Sequence, residues 1–191
     1  MRKRAAAAIE PLRFIESQLP TLVEKPPEGP GWIHEIKYDG YRTELLIQSG
    51  KARAFTRRAF DWGGKYPQIV EAAAGFPVDS AIIDGELIVM DETGRTDFAA
   101  LRSAIRWEPE RLVFAFDLLH LDGQDLRFTP LLRRRELLQG LIGDEGGPIQ
   151  FSHHVAGLGS DFYHAVEKLG LEGMVSSAPT RPTAAAAAPP G

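Results

Sequence analysis

Residues 112–119, Leu-Val-Phe-Ala-Phe-Asp-Leu-Leu, are the most apolar stretch of the chain and the one that most limits its fold. A run this short, rich in β-branched and aromatic side chains, reads as a central strand, and Asp122-Gly123 turns it back. A second β-rich run, residues 81–90, is interrupted by Asp84-Gly85-Glu86 and followed by a turn at residues 91–94. An acid inside such a run needs a partner or a job. Residues 32–37 alternate, with Trp32, His34 and Ile36 to one side and Ile33, Glu35 and Lys37 to the other, which is strand periodicity. Residues 43–48 and 51–57 flank Ser49-Gly50, a two-residue turn, and so form an antiparallel hairpin.

The helices are short. Residues 66–74 form one closed by Gly75, and Asp97 caps another that turns Phe98, Leu101 and Ile105 inward. Thr129-Pro130 has the cap-then-proline signature of a helix start, with Leu131, Leu132, Leu137, Leu138 and Leu141 as the buried stripe. Residues 149–155 read as one further strand, and Ser160 caps a helix ended by Gly170. Elements alternate irregularly and hairpins dominate, so the fold class is α+β, antiparallel sheets flanked by helices.

A chain of 191 residues is one domain by length. Residues 1–10 form a basic extension, too short and weakly apolar for a signal peptide. The segment that follows carries Pro11, Pro20, Pro26, Pro27 and Pro30, which block regular helix; it must be held by what it packs on. Residues 177–191, rich in alanine and proline, read as a low-complexity, disordered tail with nothing to bury. There is no cysteine, which excludes disulfides, thiolate metal sites and a cysteine nucleophile. No apolar run approaches the length of a membrane span, so no membrane partner and a cytoplasmic setting are expected. The net charge of −4 gives no global basic footprint. Two local arginine clusters stand out, Arg53, Arg57 and Arg58, and Arg133, Arg134 and Arg135; the second reads as the solvated face of a helix.

The stretch with the most chemistry is His34-Glu35-Ile36-Lys37-Tyr38-Asp39-Gly40-Tyr41-Arg42, which sets a lysine beside an acid and a glycine at a strand end. A lysine amine is a nucleophile only when deprotonated, so a catalytic one needs a lowered pKa or help from nearby cations or a metal. Alone, Lys-x-Asp-Gly is too short to separate such a lysine from a solvated one.

Five segments in order make the separation. Residues 33–42, Thr56-Arg57-Arg58-Ala59-Phe60-Asp61-Trp62, Asp84-Gly85-Glu86-Leu87, Phe116-Asp117-Leu118-Leu119-His120-Leu121-Asp122-Gly123 and Leu171-Glu172-Gly173-Met174-Val175-Ser176 resemble the successive nucleotidyltransferase motifs of ATP-dependent DNA ligases. They are most similar to the ligase domain of bacterial end-joining ligases. The resemblance covers residues 11–176 and implies an adenylation-domain fold and ATP as co-substrate. It implies that Lys37 attacks the α-phosphate, releases pyrophosphate and holds AMP. Asp39 and Gly40 would shape the turn presenting it, and Arg42 and Arg57 would lie near ribose and phosphates. Glu35 would meet the adenine amine, Glu86 the ribose, and Phe116, which on its own reads as core, would stack on the base. Glu172, with Glu86, would place Mg²⁺ or Mn²⁺, since hard carboxylate oxygens suit such ions. The implied partners are nicked or broken duplex DNA in repair, recombination or replication, with end-joining, polymerase or nuclease proteins alongside.

The pattern is incomplete at its C-terminal end. Ser177 stands where the family has a lysine, and from Met174 onward Arg181 is the only cation. The family's further lysine-bearing strand and its oligonucleotide-binding domain have no counterpart in the sequence. The alternative expectation is a truncated or degenerate relative that binds nucleotide or DNA without sealing.

Overall fold

The computed structural model describes residues 10–103, 111–143 and 146–183. A three-stranded sheet has β1 (Gly29–Lys37) at its centre, flanked by β8 (His154–Gly157) and β9 (Gly173–Ser177), both antiparallel to it. A larger sheet runs in the order β3 (Lys51–Thr56), β2 (Tyr41–Gln48), β4 (Ser80–Val89), β5 (Arg111–Leu121) and β6 (Gln124–Asp125). A short strand, β7 (Ile149–Phe151), pairs parallel to β5. The α+β class read from the sequence is the observed one.

Both faces of the larger sheet are buried, which is why its strands read as apolar runs rather than as alternation. Leu45, Ile47, Ile83, Leu87 and Leu118 face a core closed by Ile69 and Ala73 of α1 (Pro67–Ala74), Leu101 of α2 (Phe98–Ser103) and Leu138 of α3 (Leu131–Ile142). Neighbouring positions point the other way: Leu46, Phe55, Ile82 and Leu119 receive Leu12, Phe14 and Ile15 of the proline-rich segment. The Ile15 N–H donates to Glu44 Oε1 at 2.9 Å and the Leu12 N–H to Gln48 Oε1 at 3.1 Å, so the segment is tied as well as packed.

Turn chemistry sets the hairpins as expected. Ser49 and Gly50 have φ of 53° and 70°, and Asp122 and Gly123 of 43° and 85°, the left-handed pairs that two-residue hairpins need. The Ala100 N–H donates to Asp97 Oδ1 at 2.7 Å, capping α2; Ile105 lies outside the described residues.

Four expectations are corrected. Residues 149–155 are two strands: β7 ends at Phe151, and after Ser152 and His153 the chain enters the other sheet as β8. The helix α4 (Gly159–Lys168) is capped by Glu28, which accepts from the Gly159 and Ser160 N–H groups at 3.0 and 2.6 Å, rather than by Ser160; a carboxylate at a helix start suits the dipole. At α3 the flanking residue is Pro130 with no side-chain cap. Residues 177–183 are held: Ser177 closes β9, the Leu132 N–H donates to Pro179 O at 3.1 Å, and the Thr183 N–H donates to Arg127 O at 2.9 Å. Backbone hydrogen bonds do this, and composition does not signal them. Residues 1–9 and 184–191 lie outside the described residues. No helix among the described residues is long and apolar enough to cross a membrane.

Candidate active site

Lys37 ends β1, and the register places it opposite Gly173 of β9. That pairing brings Glu172, the residue before β9, alongside, and Lys37 Nζ donates to Glu172 Oε1. Lysine and carboxylate line a cavity of about 1000 Å³ whose walls include residues of both sheets. Beyond Lys37 the chain must turn into β2. Gly40 passes so close to β4 that a Cβ there would lie 2.2 Å from Leu87 O, which is what demands glycine. Asp39 lies on this turn, its pKa raised by burial and then by the neighbouring Glu172 charge.

The cavity floor is the β2–β4 pair, in which Arg42 stands opposite Glu86. Arg42 makes a two-pronged bond to Asp84, Nε to Oδ1 at 2.6 Å and Nη2 to Oδ2 at 2.7 Å, and its Cζ lies 4.3 Å from the Phe116 ring centroid. The acid that interrupted the apolar run therefore has its counter-charge, and Phe116 carries a guanidinium on its ring. Burial raises the Glu86 carboxyl to about 7 despite the nearby Arg42. Tyr38 stacks on Phe114 with centroids 4.2 Å apart, and burial pushes its hydroxyl up to about 12.

The deep wall corrects the reading of the second arginine cluster. Arg134 and Arg135 are 2% and 1% exposed; only Arg133 lies in solvent, bonded to Glu136. Arg135 Nη1 donates to Glu35 Oε1 at 2.8 Å and to Phe116 O at 2.7 Å, and Nη2 donates to Ser152 O. Ser152 Oγ donates to the same Glu35 oxygen at 3.1 Å. Arg134 grips Asp117 through Nε at 2.7 Å and Nη2 at 2.9 Å. The buried acid of β1 and the half-buried acid of β5 require cations, and α3 supplies them.

All nine residues singled out from the sequence, Glu35, Lys37, Asp39, Gly40, Arg42, Arg57, Glu86, Phe116 and Glu172, line this one cavity. Arg58, Arg134 and Arg181 line it too and were not among them. Asp117 in an apolar strand was a signal for Arg134; nothing in the tail composition marked Arg181.

Among the described residues no group of three or more His, Asp or Glu could cage a metal ion. Magnesium seldom uses such a cage, taking one or two carboxylates with water and substrate phosphate oxygens. Glu86 and Glu172, neither bonded to an arginine, fit that role.

Residues 15–182 match the family described as the ATP dependent DNA ligase domain. Over 165 residues the chain is 39% identical to the multifunctional non-homologous end joining protein LigD of Pseudomonas aeruginosa, an alignment covering 85% of this chain and 20% of that protein. It is 31% identical over 156 residues to a DNA ligase of Natronomonas pharaonis, covering 74% of this chain and 28% of the other. Among solved structures, a mycobacterial DNA ligase D complexed with ATP and MES aligns with a TM-score of 0.78 at 26% identity, over 88% of this chain and 56% of that one. The ligase domain of M. tuberculosis LigD aligns with a TM-score of 0.73 at 28% identity, over 82% and 51%. The chain thus spans a fifth of the first relative and about half of each solved chain.

Proposed function

Because this chain belongs to the ATP-dependent DNA ligase domain family, we propose that the cavity is an adenylation site and residues 11–176 an adenylation domain. Lys37 Nζ attacks the α-phosphate of ATP; the N–P bond forms as the bond to the bridging oxygen breaks, and pyrophosphate leaves. AMP then passes from Lys37 to the 5′-phosphate of nicked or broken duplex DNA, ready for joining in repair, recombination or replication. The observation that carries this reading is Lys37 Nζ on the Glu172 carboxylate, both lining the cavity. The amine attacks in its unprotonated form, and the Glu172 carboxylate holds it in position.

The other residues follow from their bonding. Arg57, with no ion pair among the described residues, offers a free fork to phosphate oxygens, whereas Arg42 acts from beneath, its charge fixed by Asp84. Phe116 walls the adenine, and Glu35 meets the adenine amine with the oxygen that Arg135 and Ser152 leave free. Glu86 faces the ribose. When bound through Glu172 and Glu86, Mg²⁺ or Mn²⁺ would shield the triphosphate and the departing charge. A cytoplasmic setting, and end-joining, polymerase or nuclease partners, complete the proposal.

A second reading, binding without sealing, rests on Ser177, a neutral hydroxyl on the cavity wall where the ligase pattern has a lysine. Losing a cation aimed at the reacting phosphate costs on the order of 10²-fold in rate or more.

The test uses ATP labelled on the α-phosphate with Mg²⁺. Label that survives denaturation on the native chain and is absent from Lys37→Ala supports adenylation; no label on either, across pH and metal, overturns it. A nicked-duplex assay then separates the readings, with weak or no sealing expected.

A further inference from the structure

A second cleft, of about 370 Å³, adjoins the first through Ile36, Lys37 and Tyr38, which line both. Its remaining walls are the turn after β4 and the end of α4 with the turn into β9. Besides Lys37 it presents Arg95 and Lys168, and none of the residues lining it is an acid. In a chain of net charge −4, that is a local concentration of one sign. Among the described residues, neither Arg95 nor Lys168 has an ion-pair partner within 4 Å.

Of the two acids on the same turn, Glu92 is exposed with no ion pair among the described residues, and Asp91 is spent on the backbone. Asp91 Oδ1 accepts from the N–H groups of Thr93 and Arg95 at 2.8 and 3.0 Å and from Thr93 Oγ1 at 2.7 Å. The Asp91 N–H donates to Arg95 O at 2.8 Å, and Met90 bridges Thr96, so the turn bearing Arg95 is fixed at both ends. The guanidinium itself lies against Gly170, where an added Cβ would come within 3.3 Å of Arg95 Cζ. Lys168 ends α4, two residues before that glycine. Two cations without an ion-pair contact among the described residues thus line one cleft with the lysine proposed to carry AMP.

We propose that this cleft seats a phosphate of a nucleic-acid strand, with Arg95 and Lys168 as its contacts; the assignment rests on the adenylation reading of the first cavity. In phosphoryl transfer the attacking and departing atoms lie in line on opposite sides of phosphorus. Pyrophosphate departs, and the 5′-phosphate later attacks, on the side of phosphorus away from Lys37, so a phosphate lodged in a cleft that shares Lys37 is neither of these and is a neighbouring phosphodiester of the bound strand. Such a contact positions the duplex without reading its bases.

The test is binding of a nicked, 5′-phosphorylated duplex by the full chain over a range of salt, comparing native protein with Arg95→Gln/Lys168→Gln. Loss of two phosphate contacts lowers low-salt affinity on the order of tenfold and reduces the slope of log affinity against log salt by about 2. Arg95→Lys/Lys168→Arg restores the slope. Both side chains are solvent-facing, and an unchanged thermal midpoint checks the fold of each variant. Pyrophosphate discharge of labelled protein is measured in parallel: variants altered there but binding duplex like the native chain would overturn the strand assignment in favour of pyrophosphate. An unchanged salt slope, or no duplex binding by the native chain, also overturns it. The duplex measurement needs no ATP, so its failure and the failure of Lys37 labelling are separate outcomes.

Discussion

Arg42 and Asp84, on adjacent strands beneath the cavity, are joined by two parallel bonds of 2.6 and 2.7 Å, with side chains 21% and 4% exposed. Removing one partner leaves the other charged and buried, which costs about 3–5 kcal/mol, whereas replacing both with apolar groups is often near neutral. Asp84→Ala is expected to lower unfolding free energy in urea by that amount, and Arg42→Leu/Asp84→Leu to recover most of it. Labelling of Lys37 should be impaired in both. A double variant that regains stability and full labelling would show that the pair serves only the fold.

Gly40 is fixed by a close approach. Alanine there must move Leu87 O, a backbone atom of a central strand, since the added Cβ would sit at 2.2 Å. Overpacking of this kind costs about 1–3 kcal/mol, and here it also shifts the turn that presents Lys37. Gly64→Ala is the control, because its Cβ meets nothing within 4 Å. Gly40→Ala should lose both thermal midpoint and label, and Gly64→Ala neither; equal behaviour of the two would refute the argument.

The strands and hairpins were legible because their signals are local: apolar runs, and Ser49-Gly50 and Asp122-Gly123 at the turns. The site residues were legible through five ordered motifs, not through geometry, since Lys37 and Glu172 lie 135 positions apart and only the β1–β9 register joins them. Arg134 and Arg135 were misread because a charge run on a helix usually faces water. Their partners Asp117 and Glu35 lie 17 and 100 positions away, and only the need of buried acids for counter-charges hinted at them. Glu28 was hidden in the same way, capping α4 from more than 130 positions upstream. These misses are long-range electrostatics, where neither spacing nor periodicity carries a signal; the split of residues 149–155 and the holding of residues 177–183 rest instead on backbone pairing between distant segments.

Arg135 is an arginine for its shape. One guanidinium bonds Glu35, Phe116 O and Ser152 O, three acceptors in different directions within a buried wall. A lysine keeps the charge but not the fork. With hydrogen bonds to charged groups contributing about 1.5–3 kcal/mol each, Arg135→Lys should destabilise by about 3 kcal/mol or more in denaturant melts. Arg133→Lys, on the exposed face beside Glu136, should stay within about 0.5 kcal/mol of the native chain. Similar losses at both positions would sink the distinction.

Glu44 couples stability to pH. It is 1% exposed, with Oε1 accepting from the Ile15 N–H at 2.9 Å and Oε2 buried without a partner, and burial raises its pKa from 4.5 to about 8. The folded chain therefore holds this proton where the unfolded chain has released it. Stability fully present below the unfolded value is lost as pH rises towards the folded one, at up to about 1.4 kcal/mol per pH unit. Glu86, raised to about 7, adds a slope of the same sign over a narrower range. Glu44→Gln replaces the protonated acid with a neutral group of the same shape. Its urea midpoint should match the native chain's at about pH 3.5, below the unfolded value, and exceed it at about pH 8. Parallel pH profiles for the two proteins would mean that Glu44 titrates normally and that the segment around Ile15 does not shield it.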